Sequence, residues 1–249
     1  MSATGALYDT IGRGYAAYRR PDPRLAVRIH AALGNAASVV NIGAGAGSYE
    51  PAGRRVAAVE PSAVMVRQRA QGTAPAVRAV AGALPFRAAA VDAALAILTL
   101  HHWPSWRGGV DEMRRVARER VVILTWDRDF PGFWLTDDYF PSIIPTDRVA
   151  FPSIAELADA LGTADVRTVP IPADCTDGML GAYWRRPAAY LDPGVRAAIS
   201  AFARIPDPAP ALARLKADLE DGSWERRVGR NLPADEMDLG YRLLVAELP

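Results

Sequence analysis

Three glycines spaced two residues apart follow a short apolar run in VVNIGAGAGSYE, residues 39–50. Inside regular structure, a glycine lowers stability by roughly 0.5–1 kcal/mol relative to alanine. Three glycines so close together, Gly43, Gly45 and Gly47, call for an explanation. Their clustering therefore indicates that a ligand approaches the backbone closely. Glu60 ends the next apolar run, where a carboxylate can accept hydrogen bonds from ribose hydroxyls. Together these residues predict a binding site for a nucleoside-bearing ligand.

The first half of the chain alternates apolar runs with helical segments, which predicts βαβ units and a parallel sheet. Ligands bind such sheets at the carboxyl ends of the strands, beside helix N-termini that offer free N–H groups. The glycine loop and Glu60 follow the first two predicted strands and should therefore lie at that edge. The predicted strands are 38–43, 55–60, 76–80, 91–98 and 120–126, and the predicted helices are 22–34, 62–70 and 105–117.

The second half of the chain predicts a different arrangement. A helix is expected at 153–161 with Ser153 as its N-cap, and strand candidates at 165–172 and 240–248 are expected to pair antiparallel at one sheet edge. The predicted fold class is therefore α/β, a Rossmann-like, seven-stranded, mostly parallel sheet with helices on both faces, an antiparallel last strand and a helical cap inserted between the last two strands. We expect an N-terminal lid segment over 1–21, a cofactor-binding core over 22–172, the cap over 173–236 and the final strand over 237–249.

Composition and net charge limit the kinds of binding partner that we expect for this protein. The 249 residues carry a formal net charge of +1, so no bulk electrostatic attraction favours nucleic acid or an anionic membrane. A single cysteine, Cys175, excludes an internal disulfide framework and a thiolate zinc cluster, and we expect no metal. We find no membrane-length apolar stretch and no signal-peptide pattern, so the expected location is cytoplasmic. The sequence does not indicate an oligomeric state.

The glycine spacing separates two kinds of cofactor. Nicotinamide and flavin dinucleotides favour G-x-G-x-x-G, but Ser48 stands here where the third glycine of that pattern would fall. The G-x-G-x-G form is associated instead with S-adenosylmethionine, which has no pyrophosphate. The spacing alone leaves an NAD(P)-dependent oxidoreductase open as an alternative.

Three further motifs follow the glycine loop: AGALPF at 81–86, DAALAILTLHHW at 92–103 and EMRRVARERVVILTW at 112–126. In order and separation the set resembles the class I S-adenosylmethionine-dependent methyltransferases, especially the small-molecule, "type 11" branch that includes quinone-biosynthesis C-methyltransferases. The resemblance covers roughly residues 1–127. It implies S-adenosyl-L-methionine as cofactor, S-adenosyl-L-homocysteine as product and a small-molecule methyl acceptor.

The resemblance also implies individual roles. The glycine loop would line the methionine and ribose, Glu60 would hold the ribose hydroxyls, Met65 would pack beside the adenine, and Arg19 would lie near the methionine carboxylate. The cofactor-binding residues implied in this way are Tyr15, Arg19, Asn41, Gly43, Ala44, Gly45, Gly47, Glu60, Pro61, Met65, Ala81, Gly82, Ala83, Leu84, Thr99, Leu100 and His101.

Two positions depart from the family pattern. Asn41 stands where an acidic residue is usual, and Val80 replaces the acidic residue often found just before the AGALPF stretch. An asparagine can form hydrogen bonds but cannot neutralise the ammonium of the cofactor. These departures leave a non-catalytic, binding-only relative as a second alternative.

His101 is the candidate catalytic residue, because it would lie at the end of the fourth strand near the transferred methyl. A base is needed only if the acceptor must lose a proton, and neutral imidazole suits that role. Adjacent His101 and His102 should point in different directions. Aromatic and charged residues in 133–140 and 182–187 suggest a pocket for a flat or partly apolar acceptor. The predicted acceptor-pocket residues are His102, Trp103, Trp126, Trp134, Tyr139, Tyr183 and Trp184.

Overall fold

The computed structural model describes residues 8–9, 14–233 and 235–249. Residues 1–7 and 10–13 of the predicted lid segment lie outside the described residues. None of the described helices is long and apolar enough to cross a membrane.

The strands form one large sheet and one small one. Their bounds are β1 Ser38–Ile42, β2 Arg55–Val59, β3 Ala76–Val77, β4 Val91–Ile97, β5 Ala117–Trp126, β6 Asp165–Thr168, β7 Ile171–Pro172, β8 Glu236–Met237 and β9 Tyr241–Glu247. The seven-stranded sheet has the order β3-β2-β1-β4-β5-β9-β6, and β7 pairs with β8 separately. Strands β1 to β5 are parallel, whereas β9 is antiparallel to both β5 and β6. This arrangement confirms the Rossmann-like fold class. The strand order reverses between β1 and β4, where such sheets bind ligands.

Two strand predictions need correction. The predicted strand 76–80 ends at Val77, and beyond it the Arg78 guanidinium donates to the Pro61 carbonyl. The predicted strand 165–172 is broken after Thr168, because Pro170 has no N–H to donate to a neighbouring strand. The two residues that follow, Ile171–Pro172, pair with Glu236–Met237 in the small sheet.

Five of the nine described α-helices begin at a residue whose side chain caps the helix. Asp22, Ser62, Ser105 and Ser153 each accept a hydrogen bond from a backbone N–H in the first turn, and Ser153 forms a full capping box with Glu156. The α-helices of the described residues are α1 Tyr15–Tyr18, α2 Pro23–Ala32, α3 Ala63–Arg67, α4 Trp106–Val116, α5 Ile143–Ala150, α6 Ile154–Leu161, α7 Pro193–Ala197, α8 Ala209–Glu220 and α9 Ser223–Arg227. A π-helical turn covers Leu135–Tyr139, and 3-10 turns cover Leu100–His102, Pro187–Leu191, Phe202–Arg204 and Gly229–Asn231.

The sheet separates two apolar cores. On one face, Val39, Leu95 and Val122 pack against α2 and against the region between β7 and β8. On the other face, the alternate strand residues pack against α4 and α6. Burial of both sheet faces explains why β1 and β4 read as nearly continuous apolar runs.

Candidate functional site

The glycine loop lies against the end of β4. Gly43, Gly45 and Gly47 have φ angles of +66°, +51° and +96°, a region that favours glycine. A Cβ on Gly43 would lie only 2.0 Å from Oγ1 of Thr99. The first glycine is therefore required both by its backbone angle and by the close approach of the two strand ends.

The Glu60 carboxylate organises the loop from the end of β2. Its Oε2 accepts from the Gly45 N–H at 2.9 Å, and its Oε1 accepts from the Ser62 N–H at 2.8 Å. The side chain is buried, and this burial raises its pKa. A carboxylate oxygen can accept two hydrogen bonds, so each oxygen keeps capacity for a hydroxyl donor.

A buried ion pair supports the loop from behind. The Arg69 guanidinium lies 2.6 Å from Oε1 of Glu50, and it also donates to the Gly45 carbonyl at 3.3 Å. Asn41 donates to Glu50 at 3.4 Å. An acidic side chain, Glu50, is thus present behind the loop, nine positions after Asn41 in the chain.

A first cavity opens between the glycine loop, Glu60 and the end of β4. Its volume is about 660 Å³ when its mouth is included. The predicted cofactor residues that line it are Tyr15, Gly43, Gly45, Glu60, Pro61, Met65, Ala81 and Thr99. His102 and Trp103, which were predicted for the acceptor pocket, also line this first cavity.

Other predicted cofactor residues lie elsewhere. Leu84 and Leu100 are buried in the apolar core, Gly82 and Ala83 are exposed, and Gly47 borders an outer groove. Like these, Asn41 and Ala44 line neither this cavity nor the second one described next. A sequence motif identifies a loop but not the direction in which each of its residues points. Some residues of the predicted motifs therefore lie outside the cavity.

A second cavity adjoins the first. It measures about 540 Å³ with its mouth, and Tyr8 and Leu98 line both cavities. Leu98 has a φ of +49°, an unfavourable backbone angle for leucine. Such strain is concentrated at functional sites in proteins. The strained residue here stands where the two cavities meet.

His101 lines the second cavity, whereas His102 lines the first. The His101 ring stacks on Phe151 with a centroid distance of 4.0 Å and an interplanar angle of 19°. Its pKa is held well below the usual range by burial and, secondarily, by His102, Arg204 and Arg19, so the imidazole is neutral. Within the described ranges, Nδ1 of His101 is one of four buried side-chain polar atoms without a hydrogen-bond partner.

The second cavity also contains ionic side chains. Nε of Arg19 lies 2.5 Å from Oδ1 of the buried Asp177, and Tyr49 donates to the same carboxylate at 2.9 Å. Asp147 forms an ion pair with Arg204, and burial raises the pKa of Asp147 to about 6. The structure thus places Arg19 in the lining of the second cavity and not in that of the first.

The aromatic residues predicted for the acceptor pocket divide sharply. Trp126 lines the second cavity. Trp134 and Trp184 are buried, and their indole N–H groups donate to the carbonyls of Trp184 at 2.8 Å and Ile171 at 3.0 Å. Tyr139 and Tyr183 belong to the same core. These four side chains therefore contribute to packing, and none of them lines either cavity.

Several residues of the site were missed by the sequence analysis. Asp147, Phe151, Asp177 and Met179 come from the second half of the chain, where no motif marks them. Tyr8 had a weak signal, since Tyr8, Tyr15 and Tyr18 recur at near-helical spacing. No group of three or more metal-ligating side chains occurs among the residues that the structure describes.

Comparisons with known proteins show the family of the chain. A family model described as a methyltransferase domain matches residues 40–125. A protein of Anabaena variabilis ATCC 29413, described as a methyltransferase from an antibiotic biosynthesis pathway, is 33% identical, with 93% of this chain and 99% of that chain covered and a TM-score of 0.86. No curated protein matches the chain.

Two more distant structures share the fold. A SAM-dependent methyltransferase of Thermotoga maritima is 14% identical over 97% of this chain and 98% of that chain, with a TM-score of 0.54. Geranyl diphosphate C-methyltransferase of Streptomyces coelicolor A3(2), solved with S-adenosyl-L-homocysteine, is 17% identical over 90% and 78%, with a TM-score of 0.52. The chain belongs to the class I S-adenosylmethionine-dependent methyltransferases.

Proposed function

We propose that this protein transfers a methyl group from S-adenosyl-L-methionine to a small-molecule acceptor, with the cofactor in the first cavity and the acceptor in the second. The observation that carries the proposal is Glu60. Its buried carboxylate borders a cavity beside the glycine loop and keeps acceptor capacity for two ribose hydroxyls.

The remaining lining of the first cavity suits the cofactor. Gly43 and Gly45 allow the backbone to approach the ribose and methionine, while Met65 and Ala81 offer apolar surface to the adenine. When bound, S-adenosylmethionine supplies an electrophilic methyl group with a thioether as leaving group. The protein is then needed mainly for alignment, which can contribute about 7–11 kcal/mol to lowering a barrier.

The position of the acceptor follows from the meeting of the two cavities. Tyr8 and Leu98 line both, so an acceptor in the second cavity would lie next to the cofactor. Met179, Ile199 and Ser200 supply part of the wall from the region between β7 and β8. We propose that this region, 173–236, acts as the cap, that 1–21 acts as the lid, and that 22–172 and 237–249 form the core.

Two observations bear on the class of the acceptor. A net charge of +1 gives no bulk electrostatic attraction to nucleic acid, and the Anabaena relative is described as a methyltransferase from an antibiotic biosynthesis pathway. Both favour a small molecule. Metal-free transfer and a cytoplasmic location stay predictions of the sequence.

Titration calorimetry with S-adenosyl-L-homocysteine tests the proposal, with NADH run alongside. We expect micromolar binding of S-adenosyl-L-homocysteine and none of NADH. Binding of NADH alone would support the oxidoreductase alternative and overturn the proposal. Binding of neither would support the non-catalytic alternative. Binding of S-adenosyl-L-homocysteine justifies a screen of acceptors with radiolabelled cofactor, in which methyl incorporation is the readout.

A further inference from the structure

Among the described residues that line the second cavity, the charged side chains are paired with opposite charges. Arg19 is paired with Asp177 and Asp147 is paired with Arg204. Both carboxylates are buried, with 1% and 6% of the residue exposed for Asp177 and Asp147. A charged ligand loses its hydration on entering such a cavity, and an unpaired opposite charge would offset the loss most strongly. The pairing therefore favours an uncharged ligand.

The walls favour a flat ligand. Trp126 and Phe151 meet edge to face at a centroid distance of 5.5 Å, and Tyr241 lies on the same lining. Met179 and Ile199 add aliphatic surface. Aromatic and thioether side chains of this kind bind planar apolar molecules with little loss of conformational freedom.

His101 supplies a polar feature within this apolar lining. Burial keeps its imidazole neutral, and a neutral imidazole has one nitrogen lone pair that can accept a proton. The absence of a partner for its buried Nδ1 costs free energy, about 1–3 kcal/mol for an unsatisfied group of this kind. A histidine nitrogen kept buried and without a partner at such a cost calls for a functional explanation.

We propose that the acceptor is an uncharged, planar molecule with a phenolic or enolic hydroxyl, and that His101 takes the proton of that hydroxyl. This assignment rests on the proposed function. The acceptor oxygen forms the new bond to the methyl carbon, the carbon–sulfur bond breaks with its electron pair remaining on sulfur, and the hydroxyl proton passes to an imidazole nitrogen of His101 and then to water.

Four naphthalene probes test the charge and hydroxyl requirements by binding alone. The probes are 2-naphthol, naphthalene, 2-naphthoate and 2-naphthylmethylamine, measured by equilibrium dialysis at pH 7.5 on protein saturated with S-adenosyl-L-homocysteine. We expect 2-naphthol to bind at least about tenfold more tightly than each of the other three, which corresponds to about 1.4 kcal/mol. Equal or tighter binding of either charged probe overturns the proposal, and so does failure of all four to bind.

Two variants link the selectivity to the residues. His101→Gln should remove most of the preference for 2-naphthol over naphthalene, whereas His30→Gln should retain it, because the His30 imidazole lies at the Tyr49 carbonyl outside both cavities. Arg204→Met leaves Asp147 unpaired and should raise the affinity for 2-naphthylmethylamine about tenfold. Unchanged selectivity in both His101→Gln and Arg204→Met, with folding verified by thermal unfolding, overturns the assignment.

The same binding experiment distinguishes a failure of the proposed methyltransferase function from a failure of the proposed acceptor class. Failure of the unmodified protein to bind S-adenosyl-L-homocysteine contradicts the methyltransferase function itself. Normal binding of S-adenosyl-L-homocysteine with the wrong probe preference contradicts only the acceptor class.

Discussion

The hydroxyl of Tyr8 lies 2.9 Å from Nε2 of His102, which joins the N-terminal segment to the turn that follows β4. The two residues are 94 positions apart in the chain. Tyr8 lines both cavities, and His102 lines the first. This contact places an aromatic side chain between the proposed cofactor and the proposed acceptor.

Tyr8→Phe removes this hydrogen bond and keeps the ring. A hydrogen bond of this kind contributes about 0.5–1.5 kcal/mol, so we expect S-adenosyl-L-homocysteine to bind roughly two- to tenfold more weakly by calorimetry. Tyr18→Phe is the matched control, because Tyr18 lies in the same segment but lines neither cavity. Equal losses in the two variants would show that the hydroxyl of Tyr8 has no special part in binding.

Glu60→Gln should weaken S-adenosyl-L-homocysteine binding by roughly tenfold to a hundredfold, since hydrogen bonds to a charged group contribute about 1.5–3 kcal/mol each. The change also places the N–H₂ of the new amide opposite the Gly45 or Ser62 N–H, and two facing donors destabilise the loop. The stability of the variant must therefore be measured by urea unfolding beside the calorimetry. Glu119→Gln, at an exposed position, is the control. A folded Glu60→Gln protein with unchanged affinity would remove the main support for the proposed cofactor site.

Gly43→Ala and Gly53→Ala separate backbone strain from steric conflict. Both glycines have positive φ, so each alanine should cost about 1–2 kcal/mol in left-handed backbone strain. Only the Cβ at Gly43 meets another group, at 2.0 Å from Thr99 Oγ1, whereas the Cβ at Gly53 meets nothing within 4 Å. We expect Gly43→Ala to lower the free energy of unfolding in urea by a further ~1–3 kcal/mol. Similar losses for both variants would rule out the close approach.

Asp92 provides a pH-dependent contribution to stability outside the site. Its carboxylate accepts from the Ser38 hydroxyl and N–H, both at 2.8 Å, and pairs with Arg118. The hydrogen bond from the Ser38 hydroxyl lowers the pKa of Asp92 most, and the contact with Arg118 lowers it further. The pKa falls from 3.8 to about 2. A lowered pKa stabilises the folded state above the unfolded-state value, and this stabilisation is lost as the pH falls from about 4 toward 2.

Asp92→Asn should therefore cost roughly 2 kcal/mol near pH 7, at about 1.4 kcal/mol per pKa unit, and progressively less as the pH approaches 2. Urea unfolding at several pH values measures this difference. Asp111→Asn, at an exposed position of α4, should cost little throughout. A cost for Asp92→Asn that does not change with pH would show that the charge of Asp92 is not its source.

Local patterns account for the parts that were predicted correctly. The apolar runs of β1, β4 and β5 identify strands buried on both faces, and Ser62, Ser105 and Ser153 mark helix starts through caps within three residues. The glycine loop and Glu60 were identified because adjacent strand ends of a parallel sheet share one edge. The strand predicted at 165–172 is divided into two in the structure, because Pro170 has no N–H for the ladder.

Side chains that meet across the fold were not predicted. Arg19 and Asp177 are 158 positions apart, and the sequence around each residue does not indicate that the two form an ion pair. Trp134, Tyr139, Tyr183 and Trp184 have the composition of a pocket wall, but all four are buried in the core. The two tryptophans also donate to backbone carbonyls there.

The sequence alone predicted the main strands of the sheet, the position of the glycine loop and Glu60 at the sheet edge, and the family. Each of these depends on the spacing of residues that are close together in the chain. Tertiary structure alone decided that His101 and His102 line different cavities, that Arg19 pairs with Asp177, and that Leu98 and Tyr8 stand where the cavities meet. The physical reason is that side-chain direction and charge pairing depend on distant segments, whose packing no local pattern records.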